Sequence, residues 1–372
     1  MIYRDFKDGL KTSLLGMGCM RLATLPGQQN VVDYELAEKI IDKAYAAGIN
    51  YYDTAYVYIG GESERTIGKI LSKYPRESYF IADKMPGMIK TKEDVERIFN
   101  EQLERCGVDY FDFYLCHNVS EGSIDTFINL EVPQFMEKMR AEGKIRYLGF
   151  SSHGKPETLR RFATLRDWDF AQIQLNYFDY DQKTAKAEYE VLRELGIPIV
   201  VMEPVRGGRL ASLSESADKL LKDAEPDRSV PSWAFRFLQG LDGIQVILSG
   251  MNDMAQMEDN LATFSEIAPL TEENEVVLKQ AVDALVKEFT VPCTACRYCS
   301  DCPVELDIPS IMSSYNNYKL APSPWSLGFI NGLPEGKKPM DCLSCGLCAE
   351  RCPQNIQIPE IMKELSDAFT KK

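Results

Sequence analysis

Three apolar runs of this chain each lead to a residue that can carry or move a charge. INYY runs into Asp53, with Tyr58 five residues further on; YFIADK ends on Lys84; YFDFYLCH ends on His117. The intervals from Asp53 to Lys84 and from Lys84 to His117 are 31 and 33 residues, about the length of one strand, one helix and their loops. Parallel neighbouring strands about 4.8 Å apart would bring Asp53, Lys84 and His117 to one rim within about 10 Å, with Tyr58 arching over them. A phenol, an ammonium, a carboxylate and an imidazole together suit carbonyl reduction. Hydride addition leaves charge on oxygen, so Tyr58 would donate the proton, Lys84 would lower the pKa of Tyr58, Asp53 would hold Lys84, and His117 would polarise the carbonyl. Singly, each has a plainer reading: Asp53 as a turn cap, Lys84 and His117 as solvated strand ends, Tyr58 as loop packing. His153 reads as a pocket-lining or a surface-loop residue, and Glu62 and Glu64 as acids of a first helical turn.

The elements that must position these residues alternate. Lys7-Asp8-Gly9-Leu10 reads as the turn of a hairpin ahead of the main fold. From Leu14 the pattern is strand LLGMGCM, helix Asp33–Ala47 with Asp33 as N-cap and Gly48 as stop, the Asp53 strand Ile49–Tyr52, and helix Glu64–Lys73. Strands Tyr79–Lys84, Tyr110–His117 and Ile145–Ser151 precede helices Lys92–Arg105, Val132–Glu142 and Pro156–Thr164. Strands Phe170–Leu175, Pro198–Glu203 and Ile244–Ser249 precede helices Thr184–Leu195, Val230–Leu238 and Met254–Phe264. Eight such pairs over about 250 residues predict an α/β fold, a closed parallel (β/α)8 TIM barrel with its chemistry in the loops after the strands. Gly16 and Gly18 lack the third glycine and the downstream acid of a Rossmann site. A last helix, Thr271–Glu288, opens on a loose capping pattern from Thr271 toward Glu273. Val291-Pro292 ends it, so domains are expected at 1–289 and 290–372.

Together DTAYVY, ADK, FYLCH, GFSS, QIQLNY and MEDN resemble the aldo-keto reductase family, in its order and spacing, over roughly Leu14 to Phe264. The resemblance implies a nicotinamide cofactor, NADP or NAD, lying across the barrel mouth, and a small carbonyl or alcohol substrate. It implies that Asp53, Tyr58, Lys84 and His117 are the catalytic set and that Ser151, Ser152 and Gln172 meet the carboxamide. Gly18, Met20 and Asp53 would lie along the cofactor, and Pro204, Val205, Gly207, Gly250, Gln256 and Asn260 would meet its pyrophosphate and adenosine end. The chain departs from the family at Ser152, where many members have Asn, and at Met202, where many have a stacking aromatic. Gly250 and Gln256 stand at positions usually basic for a 2′-phosphate, which weakens NADP against NAD.

Eight of the 11 cysteines crowd the C-terminal stretch. Cys342, Cys345, Cys348 and Cys352 with Pro353 spell CxxCxxCxxxCP, the bacterial ferredoxin run for [4Fe-4S] clusters. Cys293, Cys296, Cys299 and Cys302 with Pro303 repeat it with one residue fewer in the last gap. The crossed ferredoxin pattern groups Cys293, Cys296, Cys299 and Cys352 on one cluster and Cys342, Cys345, Cys348 and Cys302 on a second. Zinc is the alternative for CxxC pairs. With apolar-periodic stretches at Ile308–Tyr318 and Pro359–Phe369, the tail resembles a small α-helical ferredoxin-like domain, and the chain resembles the iron-sulfur branch of the family.

Lys plus Arg total 42 and Asp plus Glu 56, a net charge of −14, which argues against nucleic acid or an anionic membrane as partner. The N-terminus MIYRDFKDGL is charged where a signal peptide is apolar, so a cytoplasmic location is expected. The expected function is hydride transfer between NAD(P)H and a carbonyl or alcohol. Because hydride carries two electrons and a cluster passes one, either the clusters are structural or a flavin or radical step takes part; no flavin motif is recognisable, and an electron-transfer protein is a candidate partner. The alternatives are a redox-sensing protein that holds nucleotide as a regulatory ligand and a flavin-independent electron-transfer enzyme that couples the clusters to the barrel site.

Overall fold

In a computed structural model the chain is described at residues 1–28, 30–182, 184–320 and 325–370. Two short strands, β1 (Tyr3–Asp5) and β2 (Lys11–Ser13), pair antiparallel as the expected hairpin, turned by Asp8 and Gly9 at φ 57° and 75°. Eight strands follow: β3 (Leu15–Gly18), β4 (Tyr51–Asp53), β5 (Phe80–Met85), β6 (Phe111–Val119), β7 (Ile145–Ser152), β8 (Phe170–Gln174), β9 (Ile199–Met202) and β10 (Ile244–Ser249). They are parallel and close on themselves in chain order, β10 pairing with both β9 and β3. The closed barrel expected from eight strand-helix pairs is the fold.

The helices that accompany these strands in the chain are α1 (Tyr34–Ala46), α2 (Glu62–Leu71), α3 (Lys92–Cys106), α4 (Ile124–Asn129), α5 (Val132–Ala141), α6 (Pro156–Ala163), α7 (Tyr177–Gln182), α8 (Ala185–Glu194), α9 (Glu215–Ala224), α10 (Val230–Gln239), α11 (Met254–Thr263) and α12 (Glu272–Phe289). Three of them, α4, α7 and α9, lie outside the expected pairs, as insertions in the loops after β6, β8 and β9. Asp33 caps α1 by accepting from Leu36 N, as expected. For α12 the Thr271 cap closes with Asn274 rather than Glu273: each side chain accepts from the other's backbone N–H. β4 begins two residues later than expected because Ile49 N–H is still bonded to Ala44 O at the end of α1.

Strand alternation builds two apolar layers. Tyr51, Phe80, Ala82, Phe113, Leu115, Tyr147, Phe170, Val200, Val246 and Leu248 face inward and fill the barrel, and Phe6 and Leu10 of the hairpin pack against them. Phe6 lies edge-on to Tyr147 with ring centres 5.0 Å apart, so the hairpin closes the end of the barrel. Gly149 is required there: a Cβ on it would sit 2.6 Å from the Phe170 ring. The intervening strand positions face the helices and form the larger core.

The C-terminal region has α13 (Ile308–Leu320), α14 (Gly328–Asn331), α15 (Leu347–Glu350) and α16 (Ile358–Thr370). Its own apolar core joins Leu306, Ile308, Ile311, Met312 and Tyr315 to Ile356, Ile358, Ile361, Met362 and Leu365. By internal contacts the chain divides into Met1–Ser212 with Glu225–Glu275, and Leu213–Ala224 with Val276–Lys372. Among the described residues no helix is long and apolar enough to cross a membrane.

Candidate active site

Strand register determines which titratable groups can meet. Asp53 is paired with Ala82, Ala82 with Phe113, and Lys84 with Leu115. Tyr51, Ala82, Phe113 and Leu115 face inward, so the period of two sends Asp53, Lys84 and His117 inward as well, one layer above them. Lys84 Nζ lies 2.7 Å from Asp53 Oδ2 and donates to Thr54 O at 2.6 Å. Both members of the pair are buried, Lys84 completely. Tyr58 arrives on a tight turn, Tyr58–Gly61, in which Ile59, Gly60 and Gly61 all have positive φ. Its ring centre is 4.9 Å from Lys84 Nζ, and His117 stands edge-on to it with ring centres 5.8 Å apart. The four residues predicted to converge are together.

Their protonation follows from burial and neighbours. Burial alone would lower the pKa of Lys84, but Asp53, then Tyr58, more than offset it and hold the ammonium above the ordinary lysine range. Burial pushes the Asp53 carboxyl up while Lys84 pulls it back. His117 is pushed down to about 3, first by burial and then by Lys84, so it is a neutral imidazole able to donate one hydrogen bond at physiological pH. Tyr58 corrects the expectation: burial lifts its pKa above the ordinary phenol range, and Lys84 reduces that rise without reversing it. Lys84 therefore stabilises a phenolate relative to the same buried site without the cation, not relative to water.

The residues expected along a nicotinamide cofactor divide into three groups. Gln172 is paired in register with Ser151 and is buried; among the described residues its Oε1 has no hydrogen-bond partner, which leaves an acceptor free for a carboxamide N–H. Ser151 Oγ accepts from Asn118 N at 2.8 Å and keeps its own proton to donate. Ser152 Oγ is already committed, donating to Val119 O and accepting from Gly154 N, so it acts as a turn brace. At the far end Gln256 Oε1 accepts from Asn252 N to cap α11, and Asn260 Nδ2 donates to buried Ser249 Oγ at 2.7 Å. Both side chains are engaged within the protein. Met20 is exposed, a Cβ on Gly18 would meet Ser249 O at 3.5 Å, and Cβ atoms on Gly207 and Gly250 would meet the Arg21 side chain at 3.2 and 3.6 Å. Arg21 is a cation at the mouth that the motif pieces miss, since it follows GMGCM without a charge pattern of its own. Pro204 is buried beside Val205 in the turn that leads to Gly207, and Arg206 of that turn reaches back to Asp179 at 3.2 Å. His153 is exposed and borders a cavity of about 350 Å³ with Glu121, Lys155, Asp179 and Glu188. Glu64 is fully buried, unlike an ordinary first-turn acid, and pairs with Arg105 at 2.9 Å.

The cysteines line two chambers. One is bordered by Cys293, Cys296, Cys299 and Cys352, the other by Cys302, Cys342, Cys345 and Cys348, with Cys299 on its edge. This is the crossed grouping. None of the eight forms a disulfide, and among the described residues no trio of His, Cys, Asp or Glu surrounds a single-ion position. A [4Fe-4S] cube spreads its four thiolates over four irons, so a chamber with cysteines around its wall fits that group. The two halves are copies. Ala295 and Arg297 flank Cys296 at φ 53° and 63°, as Ser344 and Gly346 flank Cys345 at 54° and 81°. CPVELDIPSIM from Cys302 is repeated as CPQNIQIPEIM from Cys352, with Glu305 N bonded to Cys302 O and Asn355 N to Cys352 O.

Residues 14–282 match the aldo/keto reductase family model and residues 292–356 the model of a 4Fe-4S dicluster domain. The chain belongs to the aldo/keto reductase family and carries a C-terminal 4Fe-4S domain. It is 27% identical over 307 residues to L-galactose dehydrogenase of Arabidopsis thaliana, which spans 76% of this chain and is itself 94% covered. It is 27% identical over 216 residues to the NADH-specific methylglyoxal reductase of Escherichia coli, across 53% of this chain and 65% of that protein. Among solved structures, the holo form of aldo-keto reductase AKR11C1 from Bacillus halodurans superposes with a TM-score of 0.64 at 27% identity, over 76% of this chain and 96% of its own.

Proposed function

We propose that the barrel transfers hydride between a nicotinamide cofactor and a small carbonyl or alcohol, with Tyr58, Lys84, Asp53 and His117 as its catalytic residues. The observation that carries this is the buried Lys84–Asp53 pair, 2.7 Å apart, set beneath a phenol and beside a neutral imidazole at the barrel mouth. Hydride is what the bound cofactor supplies. The chain's part is to hold and protonate the substrate oxygen. His117 donates a hydrogen bond to the carbonyl oxygen, Tyr58 delivers its proton there, and the Lys84 ammonium, fixed by Asp53 and Thr54 O, stabilises the phenolate left behind. Gln172 Oε1 and the Ser151 hydroxyl would hold the carboxamide, and Arg21 would face the phosphates. Relatives named as a methylglyoxal reductase and an L-galactose dehydrogenase support a small polar substrate. With Gly250 and Gln256 in place of cations, NAD is preferred over NADP. Tyr58→Phe tests the assignment: carbonyl reduction should fall by roughly a hundred- to ten-thousandfold while nucleotide binding persists. Unchanged turnover removes Tyr58 as the acid.

The tail would hold two [4Fe-4S] clusters, one on Cys293, Cys296, Cys299 and Cys352 and one on Cys342, Cys345, Cys348 and Cys302, which when bound supply one-electron transfer. A boundary at residues 289 and 290 between barrel and cluster domain, and a cytoplasmic location, complete the proposal. Electron exchange with a partner protein is favoured by the exposed Tyr298, Leu343 and Leu347, which border the second chamber. Iron and sulfide analysis of an anaerobic preparation checks the count, at about eight of each per chain.

A further inference from the structure

Lys84 faces into the barrel, so its neighbour Asp83 faces out, against α2 and α3. Gly68 lets α2 and the end of α3 meet closely there: a Cβ on it would lie 2.3 Å from Cys106 O. Asp83, Glu64, Gln102 and Tyr114 are all fully buried behind the strand. Asp83 Oδ1 accepts from Lys84 N and from Gln102 Nε2, each at 2.8 Å. Gln102 Nε2 also reaches Lys84 O at 3.1 Å, while Gln102 Oε1 accepts from Tyr114 OH at 2.5 Å. Cys106 Sγ lies 3.8 Å from Asp83 Oδ2. On the α2 side Glu64 Oε2 accepts from Arg105 Nη1 at 2.9 Å. Glu64 Oε1 has no hydrogen-bond donor among the described residues if both carboxyls are ionised.

That atom identifies the missing proton. The Asp83 and Glu64 carboxyls lie within hydrogen-bonding reach of each other; two carboxylates so placed away from water repel and leave an acceptor unsatisfied, whereas one shared proton removes both penalties. The charges then balance: Lys84 against Asp53, and Arg105 against Glu64. We propose that Asp83 is held as a neutral carboxylic acid donating to Glu64, so that the side of β5 facing away from the substrate is uncharged and the Lys84 ammonium answers to Asp53. Asp83 and Gln102 are then positioning residues: they hold Lys84 N and O just where β4 has ended and stopped supplying partners. Burial first, then Glu64, raise the pKa of Asp83 well above the carboxylate range, in agreement with that geometry. The other ionisable groups that act on Asp83 are Lys84 on its own strand, Tyr58 in the turn after β4, Tyr114 on β6, Glu64 on α2 and Cys106 on α3, with Arg105 of α3 beyond Glu64.

The pairing itself is independent of the proposed reaction; its bearing on Lys84 rests on the reductase reading. D83N mimics the neutral acid, accepting through Oδ1 and donating to Glu64 through Nδ2. Because the folded Asp83 pKa is raised, stability from this group is full below the unfolded carboxyl pKa and declines as pH rises toward the folded value. Thermal unfolding of D83N should therefore gain on the parent progressively from pH 6 to pH 9, and the infrared carbonyl band of a protonated acid should disappear. D83L, which can neither hold Lys84 N nor donate to Glu64, should lower carbonyl reduction by about tenfold or more with nucleotide affinity retained, and D83N should restore most of it. A D83N protein less stable than the parent by an amount independent of pH, or a parent lacking the acid band, overturns the proposal. If the bands and pH profile behave as expected but no variant changes reduction, the shared proton stands and its link to Lys84 fails.

Discussion

The barrel site and the cysteine tail reach a multi-residue centre by opposite routes. The barrel takes one residue from the end of each of three successive strands, and its partners are protein atoms: Asp53 and Thr54 O complete Lys84, and Asn118 N is braced by Ser151. Those contacts are all made within the chain. The tail instead uses one loop-and-helix pattern twice, and each copy lends its last cysteine to the other's chamber. Its buried core is a single layer of about a dozen side chains, with Leu343 and Tyr298 more than 60% exposed at the chamber edge. Such a core is small for its length, so thiolate bonds to a bound cluster would supply much of the order. The difference separates a centre that the protein makes from a centre that the metal helps to make.

The largest effect expected on the barrel side comes from breaking the buried pair. Lys84→Met leaves Asp53 charged without a partner and should destabilise the barrel by about 3–5 kcal/mol in chemical denaturation. Carbonyl reduction should fall by roughly a hundred- to a thousandfold. The double variant Lys84→Met, Asp53→Leu should recover most of the stability and none of the activity, because an apolar pair replaces a desolvated ionic one. A double variant as unstable as the single one would mean that the pair holds more of the fold than its two charges.

On the tail side, Cys352→Ser and Cys302→Ser should each reduce bound iron from about eight to about four per chain, and the double variant should abolish it. Crossing is sharpened by combination. Cys352→Ser with Cys293→Ser touches one chamber and should still retain about four irons, although the two residues belong to different cysteine runs. Loss of all iron from that pair would place each run on its own cluster. Limited proteolysis of iron-free protein should cut within 292–356 and spare the barrel.

His117 separates the two regions by pH. Its folded pKa is about 3 and its unfolded value near 6.5, so the unfolded chain binds more protons between these limits. Stability from this site is therefore full above pH 6.5 and is lost as pH falls through the window. His117→Asn should flatten the decline of the barrel's unfolding temperature between pH 6.5 and pH 4 without altering the loss of iron on acidification, which follows thiolate protonation in the tail.

Much of this was legible in the sequence because strand ends repeat at a fixed interval. Register then converts spacing into direction: the inward parity of Tyr51, Ala82 and Leu115 is shared by Asp53, Lys84 and His117. Less visible were contacts that depend on where helices settle. ADK shows a lysine with an acid beside it, but only the packing of α2 against α3 at Gly68 and Cys106, behind β5, brings Glu64 to Asp83. Ser152 has the right chemistry for a cofactor, yet its hydroxyl also braces a local turn, and Gln256 Oε1 caps a helix while its Nε2 stays exposed, which composition does not report. The tail's repeat, CPVELDIPSIM against CPQNIQIPEIM, is plain in the sequence when the two are aligned, and it carries more than the cysteine spacing does. It predicts matching turns at Glu305 and Asn355 and matching helices from Ile308 and Ile358.

The smallest effect tests how complete the barrel's self-sufficiency is. Tyr51 lies directly beneath Asp53 on the inward face of β4, fully buried, its ring centre 4.9 Å from that of Phe113. Its hydroxyl has no hydrogen-bond partner among the described residues. A buried donor without an acceptor is destabilising, and Phe keeps the ring while removing the hydroxyl, so Tyr51→Phe should raise barrel stability by about 1 kcal/mol. The aromatic packing should be preserved, and reduction should change little because Lys84 remains the cation paired with Asp53. A loss of about 1 kcal/mol instead would mean that a water satisfies this hydroxyl. The site floor would then be wet, and the barrel, like the tail, would depend on something beyond its own side chains.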